Sequence, residues 1–110
     1  MLFYDDDEDD LRGVAPFVFN GDRKRTEEFL TEWELYRGVN RHHPLMVNAY
    51  SRTMLFFSYI QGELTLDWVQ DKLQWLRRQM THGVAMTNEG IWNLVQQAFS
   101  HRFTDRKSVV

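Results

Sequence analysis

The chain has 110 residues, 43% of them hydrophobic and 15% aromatic, no cysteine, and a formal net charge of −3. That length supports one core and not two, and the missing cysteine excludes disulfides and thiolate metal sites. No apolar run approaches the roughly 20 residues of a membrane helix, and acid follows Met1-Leu2-Phe3-Tyr4 at once, so neither a membrane span nor a secretory leader is expected.

The charge is uneven. Residues 1–16 hold Asp5, Asp6, Asp7, Glu8, Asp9 and Asp10 against Arg12, a balance of −5, which leaves +2 on the remainder. Six like charges in a row read first as a solvated, disordered tail, and second as an electrostatic guard that discourages nucleic acid or screens a basic surface on a neighbouring copy. Residues 1–15 are therefore expected as a flexible acidic arm, 16–105 as the folded domain and 106–110 as a tail. Pro16 and the alternation Phe17-Val18-Phe19 mark an extended segment. Gly21-Asp22 marks a turn, with Asp22 as helix N-cap. One extended segment cannot make a sheet alone, and every later segment has helical period. The expected class is all-α, a compact orthogonal bundle of four to five helices preceded by that short extended segment.

The first helix is expected from about Arg23 to Asn40, with Phe29, Leu30, Trp33, Tyr36 and Asn40 on its core stripe. Leu35 and Val39 lie on a second face, which either receives Phe17 and Phe19 or meets another molecule. Gly38 to Pro44 breaks the chain, and Pro44 suits a first helical position. The next helix, about Leu45 to Gln61, is apolar nearly all round from Met54 to Ile60 and belongs at the centre, with Gly62 as its left-handed stop. A third helix, about Leu64 to His82, carries Trp68, Val69, Leu73, Leu76 and Met80 on one side, with Trp75 half-buried at the edge beside Lys72. Gly83 ends it. Thr87-Asn88-Glu89 opens a fourth helix running to about Phe103, with a stripe of Ile91, Trp92, Val95, Ala98, Phe99 and Phe103.

Catalysis needs an activated nucleophile, paired carboxylates or a metal. Ser51, Ser58, Ser100 and Ser108 sit in no nucleophile-elbow context, and Asp67/Asp71 reads as a solvated helix face. Adjacent His42 and His43 point apart, unlike the i, i+4 pair of a helical zinc motif. No glycine spacing matches a phosphate loop. No catalytic, cofactor or metal residue is expected, and no enzyme. Arg77 and Arg78 suit a helix C-terminus, whereas Arg23, Lys24 and Arg25 oppose the dipole at a helix start and call for a contact: the acidic arm, another copy, or RNA. With a pI near 5.7 and no basic tract, direct RNA binding is not expected of this chain.

The order of landmarks resembles the N-terminal capsid lobe of Gag proteins from gypsy-like long-terminal-repeat retrotransposons. An F-x-G-D approach (Phe19, Gly21, Asp22) leads into F-L with a downstream tyrosine (Phe29, Leu30, Tyr36) and Asn40. An aliphatic-aromatic helix ends in I-x-G (Ile60, Gly62), Trp68 follows, and Trp92, Phe99 and Phe103 close the pattern. The similarity covers about residues 16–105, with no counterpart of the second capsid lobe or of a CCHC zinc knuckle. It implies a structural lobe that self-associates into virus-like particles in the cytoplasm, or in the nucleus. The alternative it implies is a domesticated adaptor that binds a peptide or protein in a hydrophobic groove. The candidate assembly or partner residues are Phe17, Phe19, Arg23, Lys24, Arg25, Leu35, Val39 and Trp75. Phe17 and Phe19 would then form a displaceable lid over a groove beside the first helix.

Overall fold

The computed structural model describes residues 10–81 and 87–104, so the acidic residues Asp5 to Asp9, Gly83 and the tail from 105 lie outside the described part. A single 3-10 turn, Arg23–Arg25, leads into α1 (Thr26–Val39), followed by α2 (Pro44–Val47), α3 (Ala49–Ser58), α4 (Leu66–Thr81) and α5 (Asn88–Phe103). The protein is all-α: among the described residues there is no strand, and no helix is long and apolar enough to cross a membrane.

Local chemistry sets the helix starts. The Asp22 carboxylate accepts from the Lys24 N–H at 3.0 Å, and the Thr87 hydroxyl accepts from the Gly90 N–H at 2.9 Å. Both satisfy donors that a helix start leaves unpaired. The second helix expected from the sequence is in fact two. Asn48 adopts an extended backbone and its side chain accepts from the Ser51 N–H at 3.0 Å, so it ends α2 and caps α3. The chain bends there without leaving those donors bare.

Phe56 of α3 is the hub of the core. It is fully buried and meets Phe29, Trp33, Trp92 and Phe99 at centroid distances of 5.8, 5.1, 5.4 and 5.2 Å. Trp68 of α4 stands edge-on to Phe57, Phe99 and Phe103. The Thr26 hydroxyl, buried, donates to the Phe103 carbonyl at 2.6 Å and ties the start of α1 to the end of α5. Aromatic pairs at these spacings add to simple area burial. The α5 stripe from Ile91 to Phe103 buries as its period predicts, whereas Met80 of α4 is 54% exposed.

The extended segment does find one partner. Phe19 donates its N–H to the Tyr59 carbonyl at 2.8 Å and accepts from the Gln61 N–H at 2.9 Å, a single parallel bridge to Ile60. Glycines flank this crossing on both segments. Gly21 has φ +98, and a Cβ there would lie 2.7 Å from the Leu64 Cβ. Gly62 has φ +121 beside Asn20, so it turns the chain after the bridge instead of capping α3, whose C-cap is Tyr59.

Candidate interaction surfaces

Phe19 is not a surface residue. It is fully buried, stacked on Phe29 at 5.3 Å and edge-on to Phe99 and Phe103 at 5.3 and 5.2 Å. The two main-chain bonds of the bridge fix its backbone and send the ring between α1 and α5. Phe17 is half-buried, its ring 5.6 Å from that of Phe29. Its N–H donates to Glu32 Oε1 at 3.0 Å. The expected lid is thus part of the core at Phe19 and pinned to α1 at Phe17. Removing it would expose the centre of the aromatic cluster.

The basic cluster divides. Arg25 lies 4.0 Å over the Phe17 ring and pairs with Glu28 at 3.0 Å, which holds the Glu28 carboxyl below its ordinary range. This cation therefore has a local reason to sit at a helix start: it covers an aromatic face. Arg23 and Lys24 remain exposed beside it.

Leu35 and Val39 are 67% and 58% exposed. They do not receive the Phe17 and Phe19 rings, which go to Phe29. Instead the backbone of the N-terminal segment passes Val39, where a Cβ at Gly13 would lie 3.5 Å from Val39 Cγ1. The segment is then clamped by Asn40, a buried side chain that accepts from the Arg12 N–H at 2.7 Å and donates to the Arg12 carbonyl at 2.9 Å and the Tyr36 carbonyl at 2.9 Å. Of the arm expected over 1–15, the part from Leu11 onward is thus tethered, with Leu11 packed against the core. Asn40 was legible as part of a motif, but its pairing with Arg12 has no sequence signal.

Trp75 is half-buried, as its place at the edge of the α4 stripe predicts. With Lys72 it faces Leu94, Val95 and Ala98 of α5 across an apolar cleft of about 200 Å³. Lys72 and Ala98 also line a second cleft of about 380 Å³, bordered by Trp68 and by the charged or polar side chains of Asp67, Asp71, His101 and Arg102. α4 and α5 thus share a groove that is apolar at one end and charged at the other.

A further site was missed by sequence reasoning. Arg52 sits in the middle of the apolar α3, its side chain only 3% exposed. It donates to the Met46 carbonyl at 2.6 Å and to Glu89 at 3.1 Å, and lies 5.0 Å over the Trp92 ring. Its Nε has no acceptor among the described residues. Burial pulls the guanidinium below its ordinary pKa, opposed by the Glu89 carboxylate. Glu34, Arg37 and Arg41 from the α1 end complete a pocket of about 450 Å³ above it. The available signal was a lone cation in a largely apolar helix, and nothing in the sequence paired it with Glu89.

His43 accepts the Leu45 N–H on Nδ1 at 3.1 Å and caps α2. Among the described residues no group of three or more His, Cys, Asp or Glu side chains is placed to hold a metal ion. No family model, curated protein or solved structure matches the chain.

Proposed function

We propose that this chain is a structural, Gag-like capsid lobe of retrotransposon type, whose work is repeated weak contact with other copies of itself in virus-like particles. One observation carries the proposal. Most residues on which the resemblance rests are ones that determine the fold: Phe19, Phe29, Tyr36, Ile60, Trp68, Trp92, Phe99 and Phe103 are buried, Leu30 is half-buried and Asp22 caps the turn before α1. Gly21 and Gly62 take left-handed backbone on either side of the bridge, and Asn40 clamps the N-terminal segment. A pattern kept by such residues specifies a framework, and the apolar groups it leaves outside are where contact with another copy falls. Those groups are Leu35 and Val39 on one flank, and Trp75 with Leu94 across the α4–α5 cleft.

Contacts of this kind are individually small and sum over a shell. A concentration series of heteronuclear spectra tests the proposal. Amide shifts should move with concentration at Lys72, Trp75 and Leu94, and at Leu35 and Val39, and stay fixed around Phe56. Spectra that do not change up to millimolar protein would count against it.

A further inference from the structure

We propose that the α1 flank formed by Leu35 and Val39 docks into the α4–α5 cleft beside Trp75 of a second copy. Each copy then offers its α1 flank to one neighbour and its cleft to another. This inference rests on the capsid reading and adds to it which surface meets which.

Shape separates the two surfaces. Leu35 and Val39 are 67% and 58% exposed. They lie one turn apart on α1, about 6 Å along its axis, and make a convex apolar ridge. The N-terminal segment crosses Val39 at Gly13, which brings no side chain over it. The cleft is concave and about 200 Å³ in volume, lined by Trp75, Leu94, Val95 and Ala98 with Lys72. An apolar cavity of about 150 Å³ admits benzene, so this cleft has room for a leucyl side chain from a ridge. Two ridges would touch at few atoms, and two clefts face to face would leave a hollow between them.

Charge selects the same pairing. In α1, Glu27, Glu28, Glu32 and Glu34 stand against Arg37, a balance of −3. Helical spacing sets Glu32 and Glu28 on the Leu35 side, one and two turns back. Glu28 is shared with Arg25, whereas Glu32 gives one oxygen to the Phe17 N–H, which leaves its charge uncompensated. In α4, Lys72, Arg77 and Arg78 outnumber Asp67 and Asp71, and in α5 Glu89 and Arg102 cancel, a balance of +1 for the pair. Arg78 lies three residues after Trp75 and Arg102 four after Ala98, so both exposed cations border the cleft. Flank against flank would oppose acid to acid, and flank against cleft opposes acid to cation. The two surfaces share no helix, so one copy can use both at once. A contact between unlike surfaces leaves one of each unused and goes on to rings or arrays, whereas a like-on-like contact closes at a dimer.

Two variants test the pairing. Leu35→Glu puts a charge where the ridge must enter an apolar cleft, and Trp75→Glu puts an acid where the acidic flank must land. At a concentration where the unaltered chain shows amide shifts at both surfaces, each variant alone should show none. Isotope-labelled Leu35→Glu chain mixed with unlabelled Trp75→Glu chain should then shift at Lys72, Leu94 and Ala98 and stay fixed at Val39. With the labels exchanged, Val39 should shift and Lys72 and Leu94 stay fixed. The amide spectrum of each variant reports its fold, and Leu94→Glu, 44% exposed in the parent, replaces Trp75→Glu if that change disturbs the signals around Phe56. A variant that alone keeps the concentration-dependent shifts at its intact surface would overturn the pairing in favour of like-on-like contact and leave the capsid reading standing. A mixture without shifts, where the unaltered chain shows them, would overturn it too. An unaltered chain with no shifts at any concentration would sink the capsid reading and this pairing with it.

Discussion

Phe19→Ala separates a core residue from a lid. The ring is fully buried and lies within 5.2–5.3 Å of the Phe29, Phe99 and Phe103 ring centroids. Deleting a buried Phe side chain costs about 3–5 kcal/mol, and the loss of three aromatic contacts places this position at the upper end. The bridge to Tyr59 and Gln61 uses only main-chain atoms, so it survives and cannot be blamed for the loss. With a urea slope of about 1–2 kcal/mol per molar, the unfolding midpoint should fall by roughly 2–5 M. Phe19→Leu, which keeps most of the volume, should cost about 1–1.5 kcal/mol and supplies a folded variant if the alanine form does not hold. The half-buried Phe17→Ala should cost only about 1 kcal/mol. A Phe19→Ala loss below about 1 kcal/mol, with helical circular dichroism intact, would refute the placement of Phe19 in the core and restore the displaceable segment.

Three other outcomes follow from particular residues. Gly21→Ala should destabilise by about 1–3 kcal/mol, through its left-handed φ and the close approach of Leu64, while Gly38→Ala, with open space around it in α1, should stabilise by about 0.5–1 kcal/mol in the same denaturation assay. Arg52→Ala should cost about 3 kcal/mol because it empties a buried site against Trp92 and leaves the Met46 carbonyl without its donor, whereas Glu89→Gln, whose own side chain is 63% exposed and whose amide oxygen can still accept from Arg52, should cost about 1 kcal/mol; equal losses would show the pair to be a surface ion pair. Tyr36 is pushed up to about 12 by burial and by its hydrogen bond with Tyr59. Its folded pKa thus exceeds the unfolded one, so its contribution to stability is complete below pH 10 and is lost as pH rises toward 12. Ultraviolet titration should show one tyrosine ionising late, and Tyr59→Phe should bring it down.

What the sequence discloses is what short-range chemistry decides. Asp22 and Thr87 announce helix starts because their side chains reach donors two or three residues away, and the α5 stripe announces its buried face through period alone. Asn48 carried the same N-cap signal but was hidden inside an apolar run that reads as continuous helix. The bridge at Phe19 was out of reach because its partners, Tyr59 and Gln61, are forty residues on and carry no strand pattern. For the same reason Gly62 reads as a helix stop when its left-handed backbone serves the crossing. The pocket over Arg52 depends on a contact between α3 and the first turn of α5, and no local pattern ties Arg52 to Glu89. Trp75 stood out because a tryptophan beside Lys72 at a stripe edge has nowhere fully buried to go.

The capsid reading is tested most directly by the mass of the protein in solution. Static light scattering over a series of protein and salt concentrations should show reversible growth above the monomer mass of 13.3 kDa, and Trp75→Glu should delay its onset to higher concentration. A monomer that persists at every protein and salt concentration would contradict it.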